Sequence, residues 1–339
     1  MRVLYLCTSI MNEILKPDSA LTELGHTYSW FNTDQFYLQI SYVQKKLYKF
    51  GFKSLYTNWR KTRLTTLFKQ LSDFAPEKVL FINFPDYIFQ PDELKEITDI
   101  YSTNIWFVDA CSPFPSLNSY YKYFRKIFVF EPLDIPYLRN LCSKEAYYLP
   151  DGYNKEFEFK GINPHPLYDV SFVGYPYLNR LALFDELSEL ALKNNWQLAF
   201  FGPFWEEKYI WKKHFFKIKH PNLSKFVFNG RITPKKAAEI YRNSRICLNI
   251  HKENHKGLNN RTFEILATGS FQIMDVRSDY AGLITPGKDL AIYHSAEELK
   301  NLIHYYLDHE DERLAIAKNG CKAVTQKLSM ATCIAKALL

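Results

Sequence analysis

Short apolar runs rich in Val, Ile, Phe and Tyr recur along the chain, separated by stretches whose apolar positions return every three or four residues. In the first half RVLYLC, TYSWF, KVLFIN, NIWFVD, KIFVF and AYYLP read as strands; in the second half YDVSFVG, WQLAFFG, KFVFNG, RICLNI and SFQIMD do the same. Strands that are apolar throughout and alternate with helical segments predict an α/β fold, with parallel sheets covered on both faces. Such sheets bind ligands beyond the carboxyl ends of their strands. One stretch breaks the rhythm. Residues 150–167, PDGYNKEFEFKGINPHPL, hold Pro150, Pro164, Pro166, Gly152 and Gly161 without strong periodicity, and read as an interdomain linker. Helix starts are well marked beyond it: Thr233 stands at an N-cap with Pro234 at the first helical position, and Ser295 with Glu298 forms a capping-box pattern.

The length, 339 residues, accommodates two domains of ordinary size. Aromatic residues make up 17% of the chain, enough for large cores and adhesive clefts, and the net charge of +7 points to an anionic partner. The six cysteines are scattered and form no CxxC pair, so neither a zinc nor a disulfide framework is indicated, and free thiols in a reducing cytosol are the preferred reading. The opening MRVLYLCTSI reads as a first strand rather than a leader, and no apolar run approaches the ~18 residues of a spanning helix. The expected location is cytoplasmic. Residues 42–69 carry eight Lys or Arg and no acid, with aromatics interleaved, so they suit a peripheral membrane contact, a surface for an anionic acceptor, or a solvated basic face over a core stripe. No nucleic-acid motif accompanies them.

The polar residues after the first-half strands are Ser9, Asn12, Asn83, Asp86, Asp109, Glu131 and Asp134. In the second half Gly174, Gly202 and Gly230 each follow a strand, which permits either a tight turn or a close ligand. The stretch GLNNRTFEILATGS, from Gly257 to Ser270, opens a helix after the strand RICLNI. On a wheel of ~100° per residue Phe263, Leu266 and Ala267 share one face, and Arg261, Glu264 and Thr268 the other. A helix start offers free N–H groups and partial positive charge to a phosphate. Arg261 is unfavourable there unless an anion is nearby. Glu264 suits paired hydroxyls of a ribose or sugar; the alternative is that Arg261 and Glu264 pair with each other. His251 and His255 have a metal-like spacing but no helix to support it, so no metal is expected, and His251 is a candidate phosphate or sugar contact. No GxGxxG, GxxxxGK[ST] or GxSxG element occurs.

The run from RICLNI to CKAV, with NRTFEILATG, YHSAEEL and YYLDHEDER within it, resembles the C-terminal half of CgeB-like glycosyltransferases of the spore-maturation-protein type. In the first half ALTELGHTYSWFN, NIWFVDACS and YLPDGYN are looser matches. The resemblance implies a GT-B fold: two Rossmann-like domains whose parallel sheets face across a cleft. The expected division is an acceptor domain over 1–155, a donor domain over 156–325, and a tail over 326–339 that packs back on the first domain. It also implies a sugar carried by a UDP- or GDP-type nucleotide, an acceptor that is a glycan, a lipid-linked molecule or a protein, and no cofactor or metal. By the same resemblance Glu264 is expected on the nucleotide ribose, Arg261 and Asn260 at the diphosphate, and Gly174 at the first donor-domain turn. Arg231 is expected near the base, and Asn249 and His251 line the donor side. Asp109 is the candidate base, with an N-cap or turn role as the alternative. Two positions depart from wider relatives: Lys256 stands where retaining enzymes often carry a second glutamate, and the chain ends with LSMATC in place of a His-Thr-Tyr pattern. Rival readings are a nucleotide-sugar epimerase of the same fold and a non-catalytic sugar-nucleotide-binding subunit.

Overall fold

The computed structural model describes residues 1–36, 53–83, 89–111, 118–142, 144–252, 257–277, 280 and 282–339. The chain forms two compact units, Met1–Asp151 together with Met330–Leu339, and Gly152–Ser329.

The first unit is built on a six-stranded parallel sheet of order β2-β1-β3-β4-β5-β6. Its strands are β1 (Arg2–Cys7), β2 (Thr27–Asn32), β3 (Lys78–Ile82), β4 (Thr103–Phe107), β5 (Lys126–Val129) and β6 (Ala146–Tyr148). Alternate residues enter two separate cores. Leu4 and Leu6 of β1 join Leu64, Leu67, Phe81 and Ile105 on one face. Val3, Tyr5 and Cys7 join Leu80, Trp106 and the C-terminal residues Met330, Cys333 and Ile334 on the other. The last helix, Met330–Ala337, therefore completes the first unit, and the Asn104 side chain donates to the Ala337 carbonyl at 2.8 Å.

The second unit holds another six-stranded parallel sheet, of order β12-β11-β10-β7-β8-β9. Its strands are β7 (Tyr168–Val173), β8 (Leu198–Gly202), β9 (Val227–Asn229), β10 (Ser244–Asn249), β11 (Gln272–Asp275) and β12 (Ala291–Tyr293). Helices cover both faces here too: Val170, Phe172 and Phe200 meet Phe184 and Leu187, while Val173, Phe201 and Cys247 meet Tyr241, Phe263 and Leu266. Every strand read from the sequence is present. β12 is the addition, three residues long and set just after the turn around Gly287, too short for periodicity to announce.

Residues 152–167 do not behave as a free linker. Phe157 is buried and stacks on Tyr241 at 6.1 Å, and the Arg242 guanidinium donates to the carbonyls of Glu156 and Glu158 at 2.6 and 2.8 Å. The irregular pattern reflects a chain held by side-chain-to-backbone bonds instead of ladders.

Of the basic segment 42–69, residues 42–52 lie outside the described residues. The helix Lys53–Phe74 turns Leu64, Leu67 and Leu71 into the core and engages Arg60 with both oxygens of Glu93. Lys61 and Lys69 are exposed on this helix, while Leu64 and Leu67 face inward. No helix among the described residues is long and apolar enough to cross a membrane.

Candidate functional site

The order of the second sheet defines where a ligand fits. From β7 the chain steps to β8 and β9 on one side, then returns to lay β10 on the other side of β7. The connections diverge at the carboxyl ends of β7 and β10, which is where open parallel sheets bind their ligands. Gly174 follows β7 there, Ile250 and His251 follow β10, and the helix Asn260–Ala267 begins beyond them.

That helix start is fixed from below. Asn259 is its N-cap and accepts from the Thr262 N–H at 3.1 Å. Asn249, fully buried, donates to Asn259 at 3.1 Å and to Thr262 Oγ1 at 3.0 Å, and its carbonyl oxygen accepts from Asn259 at 3.0 Å and from the Arg261 guanidinium at 3.3 Å. Asn249 thus has no surface for a ligand; it orients the groups that do. His251 is corrected in the same way. Its ring is buried, Nδ1–H donates to Asp275 at 2.7 Å, and Nε2 accepts from the Asn259 N–H at 3.3 Å. Both nitrogens are spent, and this bonding selects the neutral tautomer. Burial lowers the imidazole pKa, against the raising pull of Asp275. For Asp275 burial works upward, but the His251 bonds and the Arg277 charge outweigh it and hold the carboxyl below its usual range.

Arg261 lies over the Phe172 ring, 5.1 Å from its centroid, and against Gly174. A Cβ at Gly174 would collide with the Arg261 guanidinium, and a Cβ at Gly202 would collide with the Gly174 carbonyl oxygen. The two glycines therefore permit close packing of β8, β7 and the helix start, so the Gly-after-strand signal is steric here. Gly230 lacks this requirement: its Cβ would make an ordinary 3.6 Å contact with Glu207.

A second guanidinium stands beside the first. Arg180, near the start of the helix Leu178–Asn194, is 3% exposed, donates to the carbonyls of Tyr175 and Ile250, and lies 5.3 Å from the same Phe172 ring. Burial and the neighbouring Arg261 charge pull its pKa down to about 10. Among the described residues neither arginine has an ion-pair partner. Glu264, half-buried one turn beyond Arg261, does not pair with it. It accepts a long bond from Asn260 at 3.4 Å, and burial lifts its carboxyl to about 7 against the lowering pull of Arg261. The buried Tyr241 hydroxyl is held well above its ordinary range by burial and by Glu264, against the opposing pull of Arg261. Two crowded cations and a poorly solvated carboxyl at a helix start are arranged to receive an anion and hydroxyl donors.

The remaining candidates are separate. Arg231 is exposed beyond β9, at the same end of the sheet. Asp109, exposed just after β4 in the first unit, accepts from Asn83 Nδ2 at 3.1 Å, while Asn83 Oδ1 caps the Val108 N–H at 2.8 Å. Asp134 is buried and accepts from the Cys111 N–H at 2.7 Å, and Glu131 is buried beside it. Asp86, His255 and Lys256 lie outside the described residues. No three His, Cys, Asp or Glu converge as a metal-binding group among the described residues.

Arg180 and the Asp275–His251 pair are absent from the sequence-derived set. Arg180 carried the same signal as Arg261, a cation in the first turn of a helix that lacks acids there and follows a strand. The pair carried none, because Asp275 and His251 meet only through the β10–β11 pairing.

Residues 180–338 match the family model described as glycosyl transferase-like. Spore protein CgeB of Bacillus subtilis (strain 168) is 27% identical over 199 residues, a match that covers 55% of this chain and 58% of that protein, so the chain spans little more than half of its relative. Sucrose-phosphate synthase from Thermosynechococcus elongatus superposes with a TM-score of 0.68 at 10% identity, covering 99% of this chain and 98% of the other. A glycosyltransferase from Rickettsia africae gives 0.65 at 12% identity, covering 99% and 96%. HepE of Anabaena, in complex with UDP-glucose, gives 0.64 at 11% identity, covering 99% and 98%. At such identities the likeness is one of fold. The chain has the GT-B fold, and by sequence it is similar to CgeB over about half its length, with residues 180–338 matching the glycosyl transferase-like model.

Proposed function

We propose that the protein transfers a sugar from a nucleoside-diphosphate donor to an acceptor hydroxyl, without a cofactor. The observation that carries this reading is the start of the helix Asn260–Ala267. There Arg261 is held by Asn249 and the Phe172 ring, and Glu264 sits one turn on with a carboxyl raised to about 7. The helix N–H groups, Arg261 and Asn260 bind the diphosphate and stabilise it as it leaves. Glu264 accepts the ribose hydroxyls. Arg180 shares the Phe172 ring with Arg261 and raises the local positive potential. A uridine nucleotide is the first donor to test, since the fold-alike HepE was solved with UDP and UDP-glucose.

On the acceptor side we propose Asp109 as the group that takes the hydroxyl proton. The acceptor class is a glycan, a lipid-linked molecule or a protein, and the location is the cytoplasm. Titration calorimetry with UDP, UDP-glucose and uridine tests the donor assignment. Millimolar or weaker binding of all three, or binding unaffected by loss of Arg261, would overturn it. Donor conversion without any acceptor would favour the epimerase reading, and tight binding without turnover the non-catalytic one.

A further inference from the structure

The helix Ile210–Lys219 in the second unit presents its apolar side to solvent. Ile210 is 73% exposed, Trp211 62%, Phe215 62% and Ile218 80%. Only Phe216 of this helix is buried; it packs against Phe204 and Trp205. At ~100° per residue the four exposed apolar side chains and His214 occupy an arc about 140° wide, centred almost opposite Phe216. Lys213 and Lys217 border that arc on one side, Lys212 and Lys219 on the other. Lys208 and Lys212 take Glu206 as a partner, but Lys213, Lys217 and Lys219 have no carboxylate partner among the described residues. An outward apolar arc fringed by lysines on both sides is the pattern of a helix that lies in a membrane interface.

We propose that this helix docks the protein on an anionic lipid bilayer, with Trp211, Phe215, Ile210 and Ile218 entering the headgroup–acyl boundary and the flanking lysines meeting the lipid charges. Charge decides between lipid and a second copy of the chain. Two such helices face to face would set their lysine borders against each other, which opposes self-association. An acidic bilayer meets the apolar arc and both borders at once. The proposal does not rest on the donor assignment, since none of these residues belongs to that site.

The test uses the full chain and sedimentation with vesicles of phosphatidylcholine, with or without phosphatidylserine. The expected result is binding to the acidic vesicles, weakened by salt. Trp211→Ser with Ile218→Ser should abolish it. Lys213→Gln, Lys217→Gln and Lys219→Gln together should weaken it about a hundredfold, at about fivefold per charge. All five positions lie on the surface, so the unfolding midpoint should not move. Trp211→Phe should keep the affinity yet lose the vesicle-induced blue shift of tryptophan fluorescence. Absence of acidic-vesicle binding by the full chain would overturn the proposal. So would concentration-dependent dimerisation that the Trp211 and Ile218 changes remove without any vesicle binding. Binding that survives those changes but falls when Lys45, Lys46 and Lys49 are neutralised would overturn it too, and would move the contact to residues 42–52.

Discussion

At the residue scale the proposal turns on Arg261 and Glu264. A hydrogen bond to a charged group contributes ~1.5–3 kcal/mol. Glu264→Gln should therefore weaken UDP and uridine alike, by about tenfold to a hundredfold. Arg261→Ala should weaken UDP strongly and uridine little, because the nucleoside lacks the diphosphate. Equal small losses on both ligands, read by calorimetry, would remove this helix from the site. The raised Glu264 carboxyl adds a pH test. Ribose hydroxyls bind better to the carboxylate than to the acid, so uridine affinity should climb as pH rises through about 7, and Glu264→Gln should flatten that climb. The sign is opposite for folding. A raised carboxyl resists ionisation, so its contribution to stability falls as pH rises from its ordinary value of 4.5 to about 7 and stays lost above. Asp109→Asn keeps the shape and removes the base. Turnover should fall ~10²–10⁴-fold with UDP affinity intact, and near-normal turnover would send the search for a base elsewhere. The sequence exposed Arg261 because a cation at the positive end of a helix needs a reason. It misjudged Asn249 and His251 because a residue's type does not reveal whether its polar atoms are already spent, and theirs are spent on Asn259, Thr262 and Asp275.

Among elements, the helix Asn260–Ala267 is held against the helix Glu310–Thr325 at Gly320, where a Cβ would strike the Asp289 carbonyl and come within 2.7 Å of Leu266 Cδ2. Gly320→Ala should cost about 1–3 kcal/mol through overpacking, partly offset by the better helix propensity of alanine. The displaced Leu266 lies on the same short helix as Arg261, so UDP binding should weaken along with the unfolding midpoint. A thermal scan and a UDP titration of that variant check this, and unchanged values in both would show that the contact yields freely. The strands were legible because burial on both faces leaves uninterrupted apolar runs. The caps were legible because they depend on neighbours in the chain: Thr233 accepts from the Lys236 N–H at 3.3 Å and Ser295 from the Glu298 N–H at 3.1 Å. The reciprocal arm of the second cap shifted by one residue, with Glu298 accepting from the His294 N–H at 2.7 Å. The outward apolar arc of Ile210–Lys219 is not legible in the sequence, because its periodicity reads equally well as a core stripe, and only the position of Phe216 shows which side is inside.

For the whole molecule, the closing helix is the informative element. Met330, Cys333, Ile334 and Leu338 are all at most 4% exposed, within the first unit. At ~1.5–3 kcal/mol for each large apolar side chain, their burial is comparable with the net stability of a domain. A chain ending at Ser329 should therefore lose the calorimetric transition of the first unit and keep that of the second. Two intact transitions would show that the helix is dispensable. Periodicity alone could not assign this helix to a unit, since a short apolar segment fits either core equally well.

The polypeptide leaves the first unit after Asp151 and re-enters it at Met330. The two crossings are neighbours, for Tyr153 pairs with Ser329 and its N–H donates to the Leu328 carbonyl at 3.1 Å. In genetic terms the second unit is a cassette: one uninterrupted reading frame, 152–329, inserted into a host that is itself split. Exchange of that cassette with a relative would replace the proposed donor site at two adjacent seams and leave the host's sheet and both of its cores untouched. A single crossover, by contrast, would separate the host from its own last helix.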